Sequence, residues 1–406
     1  MEGPYHDPCK AMADLRDHLA RHDKPIAFLF GAGTSCAVTR AGSNDPLVPA
    51  VAAMTRLCAD AVAKLGEAFE KAWQGVEAES RAAGLDPTLE NVLSRAQMKI
   101  TALGPGDKLC GLDGEGWVEF DRMMRRTIAS TARPSDSLIP GQLPHDILAR
   151  WVARTARNQP IEIFTVNYDV LLERSLEAER IPVFDGFVGS YEPFFHPESL
   201  TREQFAPGAC WTRLWKLHGS INWQWQERGG QRRITRGLAD DSGELILPSY
   251  QKYDESRKQP YVTLMERLTR FLDRDDAFLV TVGFSFGDQH INAVVFDALA
   301  ARPRTHVCCL QYDEVPDSHD LVRRAKQRLN LAVLGPATAV MSGVKGTWRL
   351  GEPVDDRAAD LIDVGFDSDA VPPDVSEPGA VSGRFRLGDF TRFCAFLGSM
   401  VQGVIR

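Results

Sequence analysis

The sequence predicts an α/β protein: a Rossmann-like, doubly wound parallel sheet carrying a large helical insertion and a C-terminal extension. Three observations point there. Short, wholly apolar runs such as IAFLF (26–30) recur along the chain, as strands covered on both faces do. Amphipathic helical patterns follow most of these runs, which is the alternation of a parallel sheet. Several runs also end abruptly in glycine or polar residues, and open parallel sheets bind ligands beyond such strand ends.

Taken in order, residues 11–22 have helical periodicity that stops at Pro25. IAFLF follows as the first strand and GAGTS (31–35) as a glycine-rich turn. Residues 47–158 then read as mostly helical, rich in Ala, Leu, Glu and Lys, and predict an insertion after the first strand. Within it, Asp86-Pro87 predicts a helix start with Asp as N-cap and Pro at the first helical position. Strands return as IEIFTV (161–166), RLWKLH (213–218), ELILPS (244–249), AFLVTVGFSF (277–286) and HVCCLQY (306–312). Residues 331–406 are less regular. They include a Pro-, Gly-, Ser- and Asp-rich stretch (367–383) and close on a helical pattern whose Phe390, Phe393 and Phe396 share an apolar face. The expected division is a nucleotide-binding domain over 1–325, with the insertion at 47–158, and an extension over 326–406 whose apolar helix face either serves assembly or packs within the chain.

Composition excludes some classes. A formal charge of −8 shows no basic excess, so direct nucleic-acid binding is not expected. Eight cysteines are scattered without a CxxC pair. That argues against a structural zinc and against a disulfide framework, so no metal is expected and a reducing cytoplasm is the expected location. The polar start of the chain shows no signal peptide, and no apolar run approaches a membrane span.

Four strand ends carry polar groups. Gly31, Ala32, Gly33, Thr34 and Ser35 could let backbone amides approach a phosphate at a helix start, or could simply form a tight turn. No Gly-Lys-Ser/Thr follows, so this is not a P-loop. Cys36 and the absence of an acidic residue near Val51 and Ala52 depart from the dehydrogenase fingerprint. Asn167, Tyr168 and Asp169 end the second strand, where Asp169 can cap the next helix. Lys216-Leu217-His218-Gly219-Ser220 offers a histidine beside a glycine, suited to a base near a closely held ligand. Gly283, Ser285 and Asp288 end a late strand; the first two could touch a phosphate or ribose, and Asp288 can cap a helix.

Each cluster alone is ambiguous, but their order is informative. GAGTS, then TVNYD, then KLHGS, then GFSFGD resembles the sirtuin family of NAD-dependent enzymes. Ile246-Leu247-Pro248 before SYQKY, and Trp223 after HGS, are similar to the same family. The zinc module of protein-deacylating sirtuins, with its paired cysteines, is missing. The wording NYD, HGSINW and GFSFGD resembles instead the sirtuin-like branch of bacterial anti-phage defence. That resemblance implies an NAD hydrolase that depletes NAD. It also implies a partner, either a second domain or a separately encoded ATPase of the HerA type; a free hydrolase would deplete its own cell, so latent activity controlled by homo-oligomerisation is expected. The resemblance assigns catalysis to Asn167 and His218: Asn167 orients the ribose hydroxyls or water, and His218 accepts a proton. Asp169 would sit near the nicotinamide amide. Gly31, Ala32, Gly33, Thr34 and Ser35 would line the pyrophosphate, with Gly283 and Ser285 on the adenosine side. The rival readings are an NAD-dependent protein deacylase and a non-catalytic NAD or ADP-ribose-sensing scaffold.

Overall fold

The computed structural model describes residues 3–238, 259–351, 362–370 and 383–402. The expected strand at 244–249, the neighbouring SYQKY and most of the 367–383 stretch lie outside the described residues. The chain opens with β1 (Tyr5–His6), α1 (Pro8–Ala20), β2 (Ile26–Phe30) and α2 (Ala32–Cys36). Five helices follow: α3 (Val51–Ala63), α4 (Glu67–Ala82), α5 (Leu89–Ala102), α6 (Gly114–Ala132) and α7 (Pro144–Arg154). Then come β3 (Glu162–Thr165), α8 (Leu171–Ala178), β4 (Val183–Phe184), β5 (Phe187–Val188), β6 (Phe194–Phe195), α9 (Glu198–Thr201) and β7 (Thr212–Lys216). They are followed by β8 (Trp223–Arg228), β9 (Gln231–Arg236), α10 (Tyr261–Leu272), β10 (Phe278–Val282) and α11 (Gln289–Ala301). The last part holds β11 (His306–Leu310), α12 (Asp320–Ala325), β12 (Leu331–Leu334), β13 (Thr338–Met341), β14 (Val344–Trp348) and a final helix, Phe390–Gln402.

The main sheet has ten strands in the order β1-β14-β13-β12-β11-β10-β2-β3-β7-β4. From β12 to β4 every neighbour is parallel. The chain winds outward from β2 through β3 to β7, then returns to the other side of β2 with β10, β11 and β12. The order therefore reverses between β2 and β10, and a doubly wound sheet opens its ligand crevice at that place. This is the Rossmann-like α/β fold that the sequence predicts.

Residues alternate between the two faces of each strand, as the strand repeat demands. In β2, Ile26, Phe28 and Phe30 face Leu148 and Trp151 of α7, Leu172 of α8 and the final helix. Ala27 and Leu29 face Leu264 and Phe271 of α10 and Ile291 and Val295 of α11. Both faces are covered, which is why β2 carries no polar residue at all. Each phenylalanine buried this way contributes roughly 1.5–3 kcal/mol.

The helical stretch between β2 and β3 has two parts. Helices α3 to α6 close on their own core, including Met54, Trp73, Trp117, Phe120 and Met124. Helix α7 belongs instead to the sheet core and is the crossover from β2 to β3. Asp86 is not the N-cap of α5. That position is Thr88, whose side chain accepts from the Asn91 amide at 3.5 Å, while the Asp86 carbonyl accepts from the Asn91 side chain at 2.8 Å.

Residues beyond 326 are not peripheral to the sheet, because β12, β13 and β14 extend it. The turn from β13 to β14 has positive φ at both Ser342 (48°) and Gly343 (80°), the conformation of a two-residue hairpin. Phe390, Phe393 and Phe396 are buried within the chain. Phe390 stands 5.4 Å from Phe30 and Phe393 6.0 Å from Phe28, ring to ring. This apolar face is thus spent on the sheet core rather than on assembly. A second, four-stranded antiparallel sheet, β5-β6-β9-β8, lies between β4 and α10 in sequence. Its β8–β9 hairpin turns through Gly229 (φ 60°) and Gly230 (φ 74°).

Candidate functional site

The C-terminal ends of β2, β3, β7 and β10 open onto one cleft of ≈2440 Å³. Nine of the ten candidate residues line it: Gly31, Ala32, Gly33, Ser35, Asn167, Asp169, His218, Gly283 and Ser285. Thr34, the tenth, is fully buried directly behind them. The far wall comes from the helical block, including Glu90 and Ser94 of α5.

The glycines here are required for close packing. A Cβ on Gly31 would come within 2.3 Å of the Gly283 carbonyl oxygen, and one on Gly33 within 2.6 Å of the Gly283 Cα. Gly283 itself has φ +64°, and a Cβ there would meet the Thr34 nitrogen at 2.6 Å. The Gly31 amide donates to the Val282 carbonyl at 3.1 Å and the Gly33 amide to the Gly283 carbonyl at 3.0 Å. The turn after β2 and the end of β10 are thereby locked together at the switch point. Those two amides are already engaged inside the protein, so neither is free to donate to a ligand.

Behind this turn, Asn167 organises a buried polar network. Its Nδ2 donates to Thr34 Oγ1 at 2.9 Å and to Ser35 Oγ at 2.8 Å. Ser35 Oγ donates onward to Asp169 Oδ2 at 2.7 Å, and Thr34 Oγ1 to the Gly31 carbonyl at 2.9 Å. Asp169 Oδ1 accepts from the Leu171 amide at 3.1 Å, capping the start of α8. Both carboxylate oxygens of Asp169 are therefore used within the protein. The Asp169 carbonyl accepts from buried Lys216, which also lies 3.3 Å from Glu173. Burial pushes the Glu173 carboxyl up, against the pull of Lys216. Two acceptors of this network remain unmet among the described residues, Glu173 Oε2 and Asn167 Oδ1, and of the two residues Asn167 lines the cleft. An unsatisfied buried amide oxygen costs about 1–3 kcal/mol, and a hydroxyl or water donor in the cleft would satisfy it.

Tyr168 lines the same cleft. It is buried in the core of the helical block, and its hydroxyl donates to Glu90 Oε1 at 3.4 Å. Its carbonyl accepts from the Ile221 amide at 3.0 Å and from Ser220 Oγ at 3.4 Å. Tyr168 thus ties three parts together: the end of β3, the loop after β7 and helix α5.

His218 follows β7, ahead of a turn at Gly219 (φ +86°). Its Nε2 lies 2.9 Å from Asp288 Oδ2. Sequence reasoning found Asp288 only as a helix cap, which it also is: Oδ1 accepts from the His290 amide at 2.8 Å and the Ile291 amide at 3.1 Å. Burial pushes the Asp288 carboxyl up, but the His218 hydrogen bond and charge and the two amides outweigh this and leave it below the usual range. Ser285 is exposed on the loop between them, held in place by buried Phe284 and Phe286, whose rings are 4.9 Å apart. Cys36 also lines the cleft, yet burial and then Asp169 push its thiol up to about 11. It stays protonated near neutral pH and is a poor nucleophile.

No helix among the described residues is long and apolar enough to cross a membrane. No curated protein matches the sequence. A family model described as a SIR2-like domain matches residues 161–334, less than half of the chain. The matched span includes Asn167, His218, Gly283 and Asp288 and leaves out the turn after β2 and the helical block. Together with the parallel sheet and its switch-point cleft, this match supports a sirtuin-like family for the chain and points to NAD-related activity.

Proposed function

We propose that this protein is an NAD hydrolase that cleaves the bond between nicotinamide and ribose. The observation that carries the reading is the pairing, on one cleft wall, of Asn167 with its unmet Oδ1 and the His218–Asp288 couple. The cleft is larger than the roughly 300–1,000 Å³ usual for small-ligand sites and has room for a dinucleotide. Ala32 and Ser35, backed by buried Thr34, belong to the wall that would hold the pyrophosphate, and exposed Ser285 to the adenosine side. Asn167 Oδ1 would accept from a ribose hydroxyl or from the attacking water, with its amide immobilised by Thr34 and Ser35.

The chemistry asks little of acid catalysis. Nicotinamide leaves neutral, taking the electron pair of the broken C1′–N bond, through an oxocarbenium-like state. Water forms the new C1′–O bond, and His218 takes the proton that water gives up. The products are nicotinamide and ADP-ribose, with one proton released. General-base help of this kind is worth roughly 10²–10⁴-fold. Following the same resemblance, the activity serves anti-phage defence by draining NAD. It is held latent until self-assembly or a HerA-type ATPase releases it. Assembly would use a surface other than the buried Phe390 face.

Chromatographic quantification of nicotinamide and ADP-ribose tests the reading, with and without an acyl-lysine peptide. A hydrolase releases both products at equal rates without the peptide. Release that depends on the peptide would favour a deacylase. A scaffold would bind NAD and leave it intact.

A further inference from the structure

The His218–Asp288 contact joins two loops that the sheet order keeps apart, since β3 and β2 lie between β7 and β10. The loops after β7 and β10 bend toward each other and meet over the strand ends, with side chains only 15% and 14% exposed. Capping alone would need one oxygen of Asp288. The cap uses Oδ1, donated to by His290 and Ile291, and this fixes the rotamer that presents Oδ2 to His218 Nε2. An ionised carboxylate is acceptor only, so the hydrogen in this contact belongs to Nε2. The lone pair then resides on Nδ1, which has no hydrogen-bond partner among the described residues.

We propose that Asp288 is the positioning residue for His218: it holds the imidazole as the Nε2–H tautomer and leaves Nδ1 as the atom that receives the proton. This rests on the hydrolase reading. In the step, the C1′–N electron pair leaves with nicotinamide and a water oxygen bonds to C1′. The water proton passes to Nδ1, and the resulting imidazolium lies against the Asp288 carboxylate until it returns the proton to solvent. Helix α11 supplies the rigid mount, because its first turn and the base share one carboxylate.

Asp288→Asn separates positioning from capping. Asparagine caps helices well through its oxygen, so the helix start is retained. With that oxygen held by the His290 and Ile291 amides, the NH₂ group faces Nε2 and demands an acceptor there. The imidazole must then take the opposite tautomer, which in a comparable serine-protease couple costs about 10⁴ in kcat. We expect kcat to fall by roughly 10²–10⁴-fold, the range of general-base catalysis, with KM changed much less. Imidazole ¹⁵N chemical shifts, assigned by difference with His218→Ala, should show Nε2–H in the wild type and Nδ1–H in Asp288→Asn. An Nδ1–H tautomer in the wild type would overturn the proposal, as would wild-type kcat in Asp288→Asn. The wild-type spectrum decides the tautomer even if the variant folds poorly. If the wild type consumes no NAD, it is the hydrolase reading that fails, independently of the tautomer; if His218→Ala releases nicotinamide at the wild-type rate, His218 is not the base and the proposal falls while the hydrolase reading stands.

Discussion

Gly283→Ala strikes the contact that locks the switch point. Two costs can be worked from the structure. The backbone at Gly283 sits at φ +64°, a left-handed conformation that costs an L-residue roughly 1–2 kcal/mol. The added methyl would also stand 2.6 Å from the Thr34 nitrogen and 2.8 Å from the Gly33 carbonyl carbon. Those are backbone atoms and cannot swing aside, so the turn after β2 must move, at about 1–3 kcal/mol for overpacking. Together the loss is about 2–5 kcal/mol of stability. The displaced turn also carries Thr34 and Ser35, the two acceptors of Asn167 Nδ2, so NAD turnover should fall as well. Urea unfolding followed by tryptophan fluorescence reads the first effect, and nicotinamide release at saturating NAD the second. Gly287→Ala is the stability control, since its nearest new contact is Ser285 Oγ at an ordinary 3.4 Å. A Gly283→Ala protein with the unfolding midpoint of Gly287→Ala and undiminished turnover would refute the interlocking argument.

Three further outcomes follow from the core and its charges. Phe393→Ala, or removal of the final helix, uncovers Phe28; the point substitution should cost about 3–5 kcal/mol without changing the oligomeric state seen by light scattering. Glu162 is fully buried against Arg267 (2.6 Å), Arg274 (3.1 Å) and the Trp215 indole (2.7 Å). Glu162→Gln would leave those guanidiniums only the exposed Glu203 carboxylate, at 3.0 Å from Arg267 and 3.6 Å from Arg274, at a cost of about 3–5 kcal/mol, and a loss below about 1 kcal/mol in urea unfolding would contradict this. Burial, partly opposed by Asp169 and Asp146, holds the His145 imidazole down to about 4. The unfolded chain therefore binds a proton that the native state refuses between about pH 6.5 and 4. Stability from this group is present above pH 6.5 and lost as pH falls toward 4, on the order of 2 kcal/mol by pH 5. His145→Gln should flatten that part of the stability profile, and an unchanged slope would show that the imidazole is not the group responsible.

Strand runs with apolar residues on both faces were legible because burial on two sides leaves little freedom of composition; IAFLF and AFLVT are both core strands. The strand ends were legible for the opposite reason, since Asn167, His218 and Ser285 interrupt such runs with polar groups. What stayed hidden depends on distance in the chain. Asp288 looked like a cap and nothing more, because its second partner, His218, lies 70 residues away and no local pattern announces a shared carboxylate. The role of Gly31 and Gly33 was half visible: the sequence leaves them between a phosphate approach and a tight turn, and the structure shows that they make room for Gly283. Pro87 makes a helix start at Asp86 plausible from sequence, whereas the hydroxyl that accepts from the Asn91 amide belongs to Thr88. The β13–β14 and β8–β9 hairpins carry Ser342-Gly343 and Gly229-Gly230, which are turn signals between strand-like runs. The final helix could have served assembly or the core, and its phenylalanines read identically in both cases; only the aromatic surface of β2 beneath them decides.

The most direct test of the account is the release of nicotinamide from NAD by this 406-residue chain, compared with Asn167→Ala and His218→Ala. The account predicts nicotinamide and ADP-ribose in equal amounts from the wild type without acyl peptide. It predicts a loss of roughly 10²–10⁴-fold in His218→Ala and a comparable collapse in Asn167→Ala. Wild-type turnover by both variants, or NAD bound and left uncleaved by the wild type with and without a HerA-type ATPase, would contradict it.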